Sequence, residues 1–159
     1  MINSTKILAL MAALCLWALP ASADDSAQQL DDIRGPWMTH EGGEIEFHPC
    51  SDNADKLCGT ITALRPEDAP LNPKDVNNPD ESLRDRPLLG LTMFEGLEAD
   101  SDGKWSGGTL YDSKGGRTVK FKIRLNKDGT LKISGCVSFF CRSFDWTRVS
   151  PTMEGAAGE

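Results

Sequence analysis

The residues from Thr118 to Leu125 alternate strictly between polar and apolar side chains, and this alternation constrains the fold more than any other feature of the chain. A period of two places one set of side chains on each face of a β-strand. Shorter stretches of similar character are bounded by Gly, Pro, Asn and Asp, as strands are. They predict seven more strands, at 37–40, 44–48, 57–64, 88–94, 105–111, 130–136 and 141–149.

Eight short strands, mostly joined by short turns, favour one architecture. An up-and-down barrel leaves no open sheet edge and has a single packed interior. No stretch between the strands has helical periodicity, which argues against an α/β fold. The sequence therefore predicts an all-β domain over residues 35–149, an eight-stranded antiparallel up-and-down β-barrel.

Both ends of the chain are expected to lie outside the barrel. Lys6, the apolar run 7–19 and the sequence Ala21-Ser-Ala23 are typical of a secretory signal peptide over residues 1–23, cleaved after Ala23. Residues 24–34 predict a short amphipathic N-terminal helix, and the polar, Gly-rich tail 150–159 is expected to be disordered. We therefore expect one periplasmic or secreted domain.

The charge narrows the range of partners. The formal net charge is −7, so we expect no binding to nucleic acid, whose phosphates would repel the protein. The apolar run near the start is too short to predict a membrane-spanning segment. A protein partner cannot be named from these features.

The cysteines predict two disulfides. Cys15 lies in the signal peptide, which leaves Cys50, Cys58, Cys136 and Cys141. An even number in an exported chain suggests disulfides, and of three connectivities the short spacings favour Cys50–Cys58 and Cys136–Cys141. Zinc sites need closer pairs than the spacings C-x7-C and C-x4-C.

Trp37 and Arg148 are expected to meet at one end of the barrel. Trp37 opens the first strand, and the last strand returns to the same end with Trp146, Thr147 and Arg148. A guanidinium over the indole would add a cation–π contact and close the barrel floor. The alternative is that Trp37 is ordinary core and Arg148 is solvated.

The other end collects the long loop 65–87 and the candidate ligand residues. These are Arg84, Arg86, Tyr111, Asp112, Phe139 and Phe140. The arginines could hold an anionic head group, or they could balance Asp80, Glu81 and Asp85 in solvent. Tyr111 with Asp112 could orient a polar ligand, or Tyr111 could simply pack. The two phenylalanines could be apolar lips, an association patch or a plug inside the barrel.

Metal and catalytic sites find little support. His40 and His48, with Glu44 and Glu46, should lie a barrel height apart on its outer face. If Asp75 were the first position of an EF-hand loop, the motif would need Gly at the sixth position and Glu at the twelfth. This chain has Asp80 and Arg86 there, so the sequence leaves open only a calcium site of another kind. No G-x-S-x-G motif is present, and neither His has an evident Ser partner. We predict no metal, no cofactor and no catalytic residue.

Several motifs together resemble a known family. GPW opens the domain, and LCGTITAL, DVNNPDESLRDRPLLGL, DGKWSGGTLYDSKGG and WTR follow in order. This set, spread over residues 35–148, resembles the bacterial exported family named domain of unknown function 2147 (DUF2147). The resemblance implies a lipocalin-like β-barrel and a small-molecule binding role, without assigned catalytic residues. Ser113 stands where the family usually has Pro, which changes that turn.

Three functions follow as hypotheses. The leading one is an exported protein that binds a small apolar or amphiphilic ligand, and it requires an empty apolar cavity at the end with loop 65–87. The alternative is a structural or protein-interaction module of the cell envelope with a filled barrel and no enzymatic activity. An enzyme is the third, and it would require polar groups that converge in the cavity.

Overall fold

Nine strand segments form one antiparallel sheet in the computed structural model of the protein, which describes residues 31–100, 103–137 and 139–150. They are β1 (Gly35–Met38), β2 (Glu44–Pro49), β3 (Leu57–Ala63), β4 (Thr92–Ala99), β5 (Lys104–Ser106), β6 (Thr109–Asp112), β7 (Arg117–Leu125), β8 (Leu131–Val137) and β9 (Phe140–Arg148).

The sheet closes on itself. β3, β2, β1, β9, β8 and β7 are neighbours in that order, and β4 returns to pair with β3. β5 and β6 each lie between β4 and β7, so the two segments share one position in the barrel. The result is a closed eight-stranded antiparallel barrel, which confirms the fold class predicted from the alternation.

Two strand predictions differ from the structure. The strand expected at 88–94 is β4, which starts at Thr92 and runs to Ala99. Residues 88–91 instead form a turn in which Gly90, with φ of +83°, donates to the carbonyl of Ile61. The apolar run after Pro87 was misleading, because its leucines belong partly to that turn.

The strand expected at 105–111 is interrupted. β5 ends at Ser106 and β6 begins at Thr109, with Gly107 and Gly108 between them. A Cβ at Gly108 would lie 2.6 Å from the carbonyl oxygen of Glu95 on β4. The register on β4 continues across the break, whereas against β7 the two segments have one extra residue. The break is therefore a bulge relative to β7, and it needs glycine because β4 lies so close.

Little of the chain is helical. Residues 31–33 are helical, and two short 3-10 helices, Ala69–Leu71 and Glu81–Leu83, lie in the long loop after β3. The rest of the predicted N-terminal helix, the predicted signal peptide and residues 151–159 fall outside the described residues. Among the residues that the structure describes, no helix is long and apolar enough to span a membrane.

The core fills the half of the barrel near the chain ends. Its completely buried large side chains come from seven of the nine strand segments: Trp37, Phe47, Leu57, Phe94, Leu97, Trp105, Ile123 and Leu131. Truncating a buried aromatic side chain of this kind typically costs about 3–5 kcal/mol. This aromatic packing therefore supplies much of the stability of the closed half.

Trp37 and Arg148 meet at this closed end. The two residues are cross-strand neighbours on β1 and β9, and the Arg148 guanidinium lies 4.4 Å from the indole ring centroid. Arg148 also donates to the carbonyls of Arg34, at 2.8 Å, and Asp32. The Trp37 indole donates to the carbonyl of Ile33 at 2.8 Å. The contact expected from the sequence is present, and it also ties the end of the helix to the barrel.

Both predicted disulfides are present. Cys50–Cys58 joins the ends of β2 and β3, and its two residues are buried. Cys136–Cys141 links directly opposed residues of β8 and β9 and is exposed.

Candidate functional site

A cavity of about 660 Å3 opens at the end of the barrel opposite the Trp37–Arg148 contact. We call it the mouth cavity. Four connections border it: the β1–β2 turn, the long loop after β3, the β6–β7 turn and the start of β9. This is the end at which the sequence placed the ligand mouth.

Apolar side chains form the inner wall of the mouth cavity. They are Ile45, Ile61, Leu64, Leu88, Met93, Phe94, Leu110, Val119, Ile133 and Trp146. Phe94 and Trp146 pack edge to face, with ring centroids 5.7 Å apart. Beneath them Phe47 and Phe121 also contact Phe94, at 5.3 and 4.8 Å. The cavity therefore ends on a rigid aromatic floor.

Gly59 makes this floor possible. It lies on β3 in the LCGTITAL motif, and a Cβ there would lie 2.9 Å from Phe47 and 3.0 Å from Phe94. Any side chain at this position would push the two rings apart. The close packing of the two rings thus explains why the motif has glycine at this position.

Most charged side chains around the rim are paired with one another. Lys114 binds Glu41 at 2.9 Å, and this hydrogen bond holds the pKa of Glu41 below its ordinary value. Arg65 binds Asp68 at 2.5 Å, and Arg117 binds Asp112 at 3.2 Å. Within each pair the opposite charges cancel, at the edge of an apolar cavity.

Arg142 differs from the other rim cations. It lies on β9 at the same parity as Phe144 and Trp146, and all three side chains line the mouth cavity. Its cross-strand partner on β8 is Gly135, which leaves open space beside it. Within the described part of the chain, Arg142 makes no ion pair or hydrogen bond through its side chain.

Arg142 was not among the residues predicted for the mouth, although strand alternation carries its signal. If Cys141 and Ser143 take the outer face of the last strand, Arg142 between them points inward. Gly135 likewise lies between two outward residues of the preceding strand. A charged residue at an inward position, opposite a glycine, is what could have identified this part of the site.

The predicted mouth residues lie in three different places. Asp112 and Phe140 line the mouth cavity. Phe139 lies in the β8–β9 turn, where 95% of its surface is exposed. Arg84, Arg86 and Tyr111 are not part of the lining and belong to a polar cluster in the long loop.

Asp75 is the centre of this polar cluster and is completely buried. Its Oδ1 accepts a hydrogen bond from the Tyr111 hydroxyl at 2.7 Å. Its Oδ2 accepts from Asn78 at 2.7 Å and from two nitrogens of Arg86, at 3.0 and 2.8 Å. Arg84 donates to the carbonyl of Asn78 at 2.8 Å. The cluster ties the loop to β6 of the barrel.

The hydrogen bonds set the ionisation of the cluster. Burial by itself would raise the pKa of Asp75, but the bonds from Asn78, Tyr111 and Arg86 outweigh burial and lower it. Burial and the bond to Asp75 raise the pKa of Tyr111. At neutral pH the cluster therefore holds a carboxylate, a neutral phenol and a guanidinium. Arg86 supplies the positive charge that a calcium ion would bring to Asp75.

A close backbone contact completes the attachment of the loop. Asn77 donates through Nδ2 to the carbonyl of Lys114 at 3.0 Å. A Cβ at Gly116, whose φ is +59°, would lie only 2.0 Å from the carbonyl oxygen of Asn77. The loop therefore lies directly on the β6–β7 turn, and this shapes one side of the mouth.

The two histidines lie on different elements, one in the β1–β2 turn and the other on β2. His40 is in the β1–β2 turn, where its ring stacks on Phe144 with centroids 3.8 Å apart. It borders the mouth cavity, so its expected place on the outer face was wrong. His48 lies on β2, and its Nδ1 faces the carbonyl of Pro49 at 2.9 Å. Its Nε2 lies 2.8 Å from the Thr60 hydroxyl. Among the described residues, no three His, Cys, Asp or Glu side chains form a group that could hold a metal ion.

Comparison with known proteins places this geometry in a family. The model of the family "Uncharacterized protein conserved in bacteria (DUF2147)" matches residues 35–148. No curated protein matches the chain. Among solved structures, protein HP1028 from the human pathogen Helicobacter pylori, described as belonging to the lipocalin family, superimposes with a TM-score of 0.66. That match has 21% sequence identity and covers 75% of this chain and 84% of the other.

The family match spans nearly the whole barrel, and the structural match supports the same strand arrangement. The identity to HP1028 is too low to carry more than the fold. The chain is thus a member of the DUF2147 family with a lipocalin-like β-barrel fold.

Proposed function

We propose that this protein binds one small, partly apolar molecule in the mouth cavity and does so outside the cytoplasm. The observation that carries the proposal is an open cavity with an aromatic floor in an otherwise closed barrel. Its volume, about 660 Å3, lies within the roughly 300–1,000 Å3 usual for small-molecule sites. A lipocalin-like barrel of eight strands leaves room for one such ligand.

Two features support a location outside the cytoplasm. The start of the chain has the composition of a signal peptide. The two disulfides are compatible with an oxidising compartment, where such bonds persist. The exported protein would begin at Asp24.

A second function, protein interaction, rests on the β8–β9 turn. Phe139 and Phe140 are exposed by 95% and 83%, beside the mouth cavity. Exposed neighbouring aromatic residues are typical of contact sites. The mouth cavity does not favour the alternative of a completely filled barrel, so this function would use the outer surface of the turn.

Binding of a neutral fluorescent apolar probe, N-phenyl-1-naphthylamine, tests the leading proposal. The expected result is saturable binding with a stoichiometry of one. Gly135→Leu should abolish it, because the new side chain would enter the open space beside Arg142. Ser134→Leu is the matched control, since Ser134 points to the outer wall, where its hydroxyl contacts Ser143 at 2.9 Å.

Two outcomes would count against the cavity as a binding site. One is an absence of saturable binding to the folded protein. The other is binding that Gly135→Leu leaves intact while the double variant Phe139→Ser/Phe140→Ser removes it. The second outcome would move the apolar site to the β8–β9 turn and favour protein interaction.

A further inference from the structure

We infer that the ligand of the mouth cavity is an anionic amphiphile whose head group is bound by Arg142. This inference rests on the proposed function and specifies the chemistry of the ligand. Its basis is the one rim cation that the described residues leave without a partner, next to a wall that is otherwise apolar.

The position of Arg142 fits a head-group contact. Phe144 and Trp146 follow at successive inward positions of β9, so the three side chains form one column from the mouth toward the aromatic floor. An extended molecule along this column would place its apolar part against the two rings. Its polar end would then reach the guanidinium.

Space is available where the head group would lie. Gly135 is directly opposite Arg142 in the β8–β9 ladder. A Cβ at Gly135 would have the Lys120 carbonyl oxygen, 3.9 Å away, as its nearest neighbour. The backbone here does not need glycine for its conformation, since its φ is not in the left-handed region. The missing side chain therefore widens the cavity at Arg142.

Three of the carboxylates that border the mouth cavity are already paired with cations. Glu41, Asp68 and Asp112 are occupied by Lys114, Arg65 and Arg117 respectively. Glu44 also borders the mouth cavity and has no ion partner within the described residues. It is the first residue of β2, beside a register shift, whereas Arg142 lies in the inward column with Phe144 and Trp146. A ligand whose apolar part follows this column would therefore bring its polar end to Arg142, which favours an anionic head group there.

The chemistry of arginine matches this role. A guanidinium presents several donors in one plane and binds carboxylate, sulfate or phosphate oxygens through two parallel hydrogen bonds. Such a bond is stronger beside apolar walls than in water, because less solvent screens it. We therefore expect a single-chain carboxylate to bind better than an uncharged molecule of the same length.

The test compares three ligands of equal chain length at pH 7.5, namely dodecanoate, dodecanol and dodecylamine. Each displaces N-phenyl-1-naphthylamine at concentrations below its solubility limit and, for the two ionic ligands, below the critical micelle concentration. The wild type should prefer dodecanoate to dodecanol by about tenfold or more, in the range of a hydrogen bond to a charged group. Arg142→Gln should remove the preference and leave the affinity for dodecanol within about twofold. Arg142→Glu should reverse the order of dodecanoate and dodecylamine.

Arg124→Gln is the control for net charge. Arg124 is an exposed residue of β7 that lies between the inward-facing Ile123 and Leu125. This variant carries the same charge change as Arg142→Gln, and it should keep the preference for dodecanoate. A preference that both variants lose equally would overturn the inference, since the protein's overall field would then explain it.

The remaining outcomes separate the inference from the proposed function. Equal binding of dodecanoate and dodecanol, or a preference that survives Arg142→Gln, would overturn the head-group assignment and leave the cavity as a binding site. If none of the three ligands displaced the probe and the probe itself did not bind, the proposed function would fail, and the inference with it.

Discussion

At the scale of single residues, the buried carboxylate of Asp75 is the most consequential finding. Burying an unpaired charge is very costly, so such a group persists only when it is fully hydrogen-bonded. Here three side chains from two elements bond to it. Asp75 therefore determines whether the long loop stays attached to the barrel.

Replacing Asp75 should destabilise the protein strongly. We expect Asp75→Asn to lower the free energy of unfolding by about 2–4 kcal/mol, because the amide has no charge to pair with Arg86 and only one oxygen to accept from Arg86 and Tyr111. Urea unfolding measures the change. Asp85→Asn is the matched control, since Asp85 is exposed and pairs with Lys74 at the surface, and it should cost about 0.5 kcal/mol or less. A loss below about 1 kcal/mol for Asp75→Asn would contradict the role given to the cluster.

The lowered pKa of Asp75 predicts how stability depends on pH. A carboxylate with a folded pKa below its unfolded value, about 3.9, stabilises the protein above that value. This contribution disappears as the pH falls through the folded pKa. The stability difference between wild type and Asp75→Asn should therefore be constant from pH 7 to 5 and shrink below pH 4. Thermal unfolding over that range measures it, and a difference that grows toward low pH would contradict the assigned ionisation.

At the scale of elements, the long loop after β3 was the hardest part to predict. The loop was expected at the mouth end of the barrel, and Arg84 and Arg86 were expected there with it. In the structure the two ends of the loop meet, with Lys74 bridging to Pro87 and the amide of Asp75 donating to the carbonyl of Arg86. Local patterns do not encode such contacts across eleven residues, although opposite charges at both ends of the segment were a hint.

The strands were predicted well where the alternation is strict and poorly where glycine changes it. β7 and β8 lie within one residue of the predicted ranges. β4 runs through Gly96, whose φ is +72°, and beyond the range predicted for it. The bulge at Gly107 and Gly108 was read as continuous strand. Periodicity predicts which face of the sheet a side chain takes, but a bulge moves the residues after it to the opposite face. Bulges depend on tertiary contacts, so the periodicity does not reveal them.

The two disulfides should contribute unequally. Both close short loops, so loop entropy alone would give each about 2–3 kcal/mol. Cys50 and Cys58 are also buried, whereas Cys136 and Cys141 are exposed on a hairpin that the β8–β9 ladder already holds. We expect Cys50→Ala/Cys58→Ala to lower the melting temperature more than Cys136→Ala/Cys141→Ala. Thermal unfolding of both variants measures this, and the reverse order would contradict it.

At the scale of the whole molecule, the barrel has one closed half and one open half. Aromatic residues fill the half near Trp37 and Arg148, and the mouth cavity occupies the other. The closed end was predictable, because the first and last strands of an up-and-down barrel must finish together. The presence of a cavity was not, because it depends on how side chains such as Phe94 and Trp146 pack. Composition and alternation do not determine that packing.

The mouth cavity should lower the stability of the protein without a ligand. A cavity lined by apolar side chains forfeits packing that a filled barrel would have. A ligand that binds only the folded state should restore part of it by mass action. The open half is thus expected to be the part of the barrel that responds to a ligand.

Native mass spectrometry of the protein isolated without detergent from cells that export it tests the central claim most directly. The account predicts a chain that begins at Asp24, contains two disulfides and carries one extra molecule that organic extraction removes. Gly135→Leu should carry none, and Ser134→Leu should keep it. A folded wild-type protein that shows only its own mass, both as isolated and after incubation with dodecanoate, would contradict the claim that the mouth cavity is a binding site.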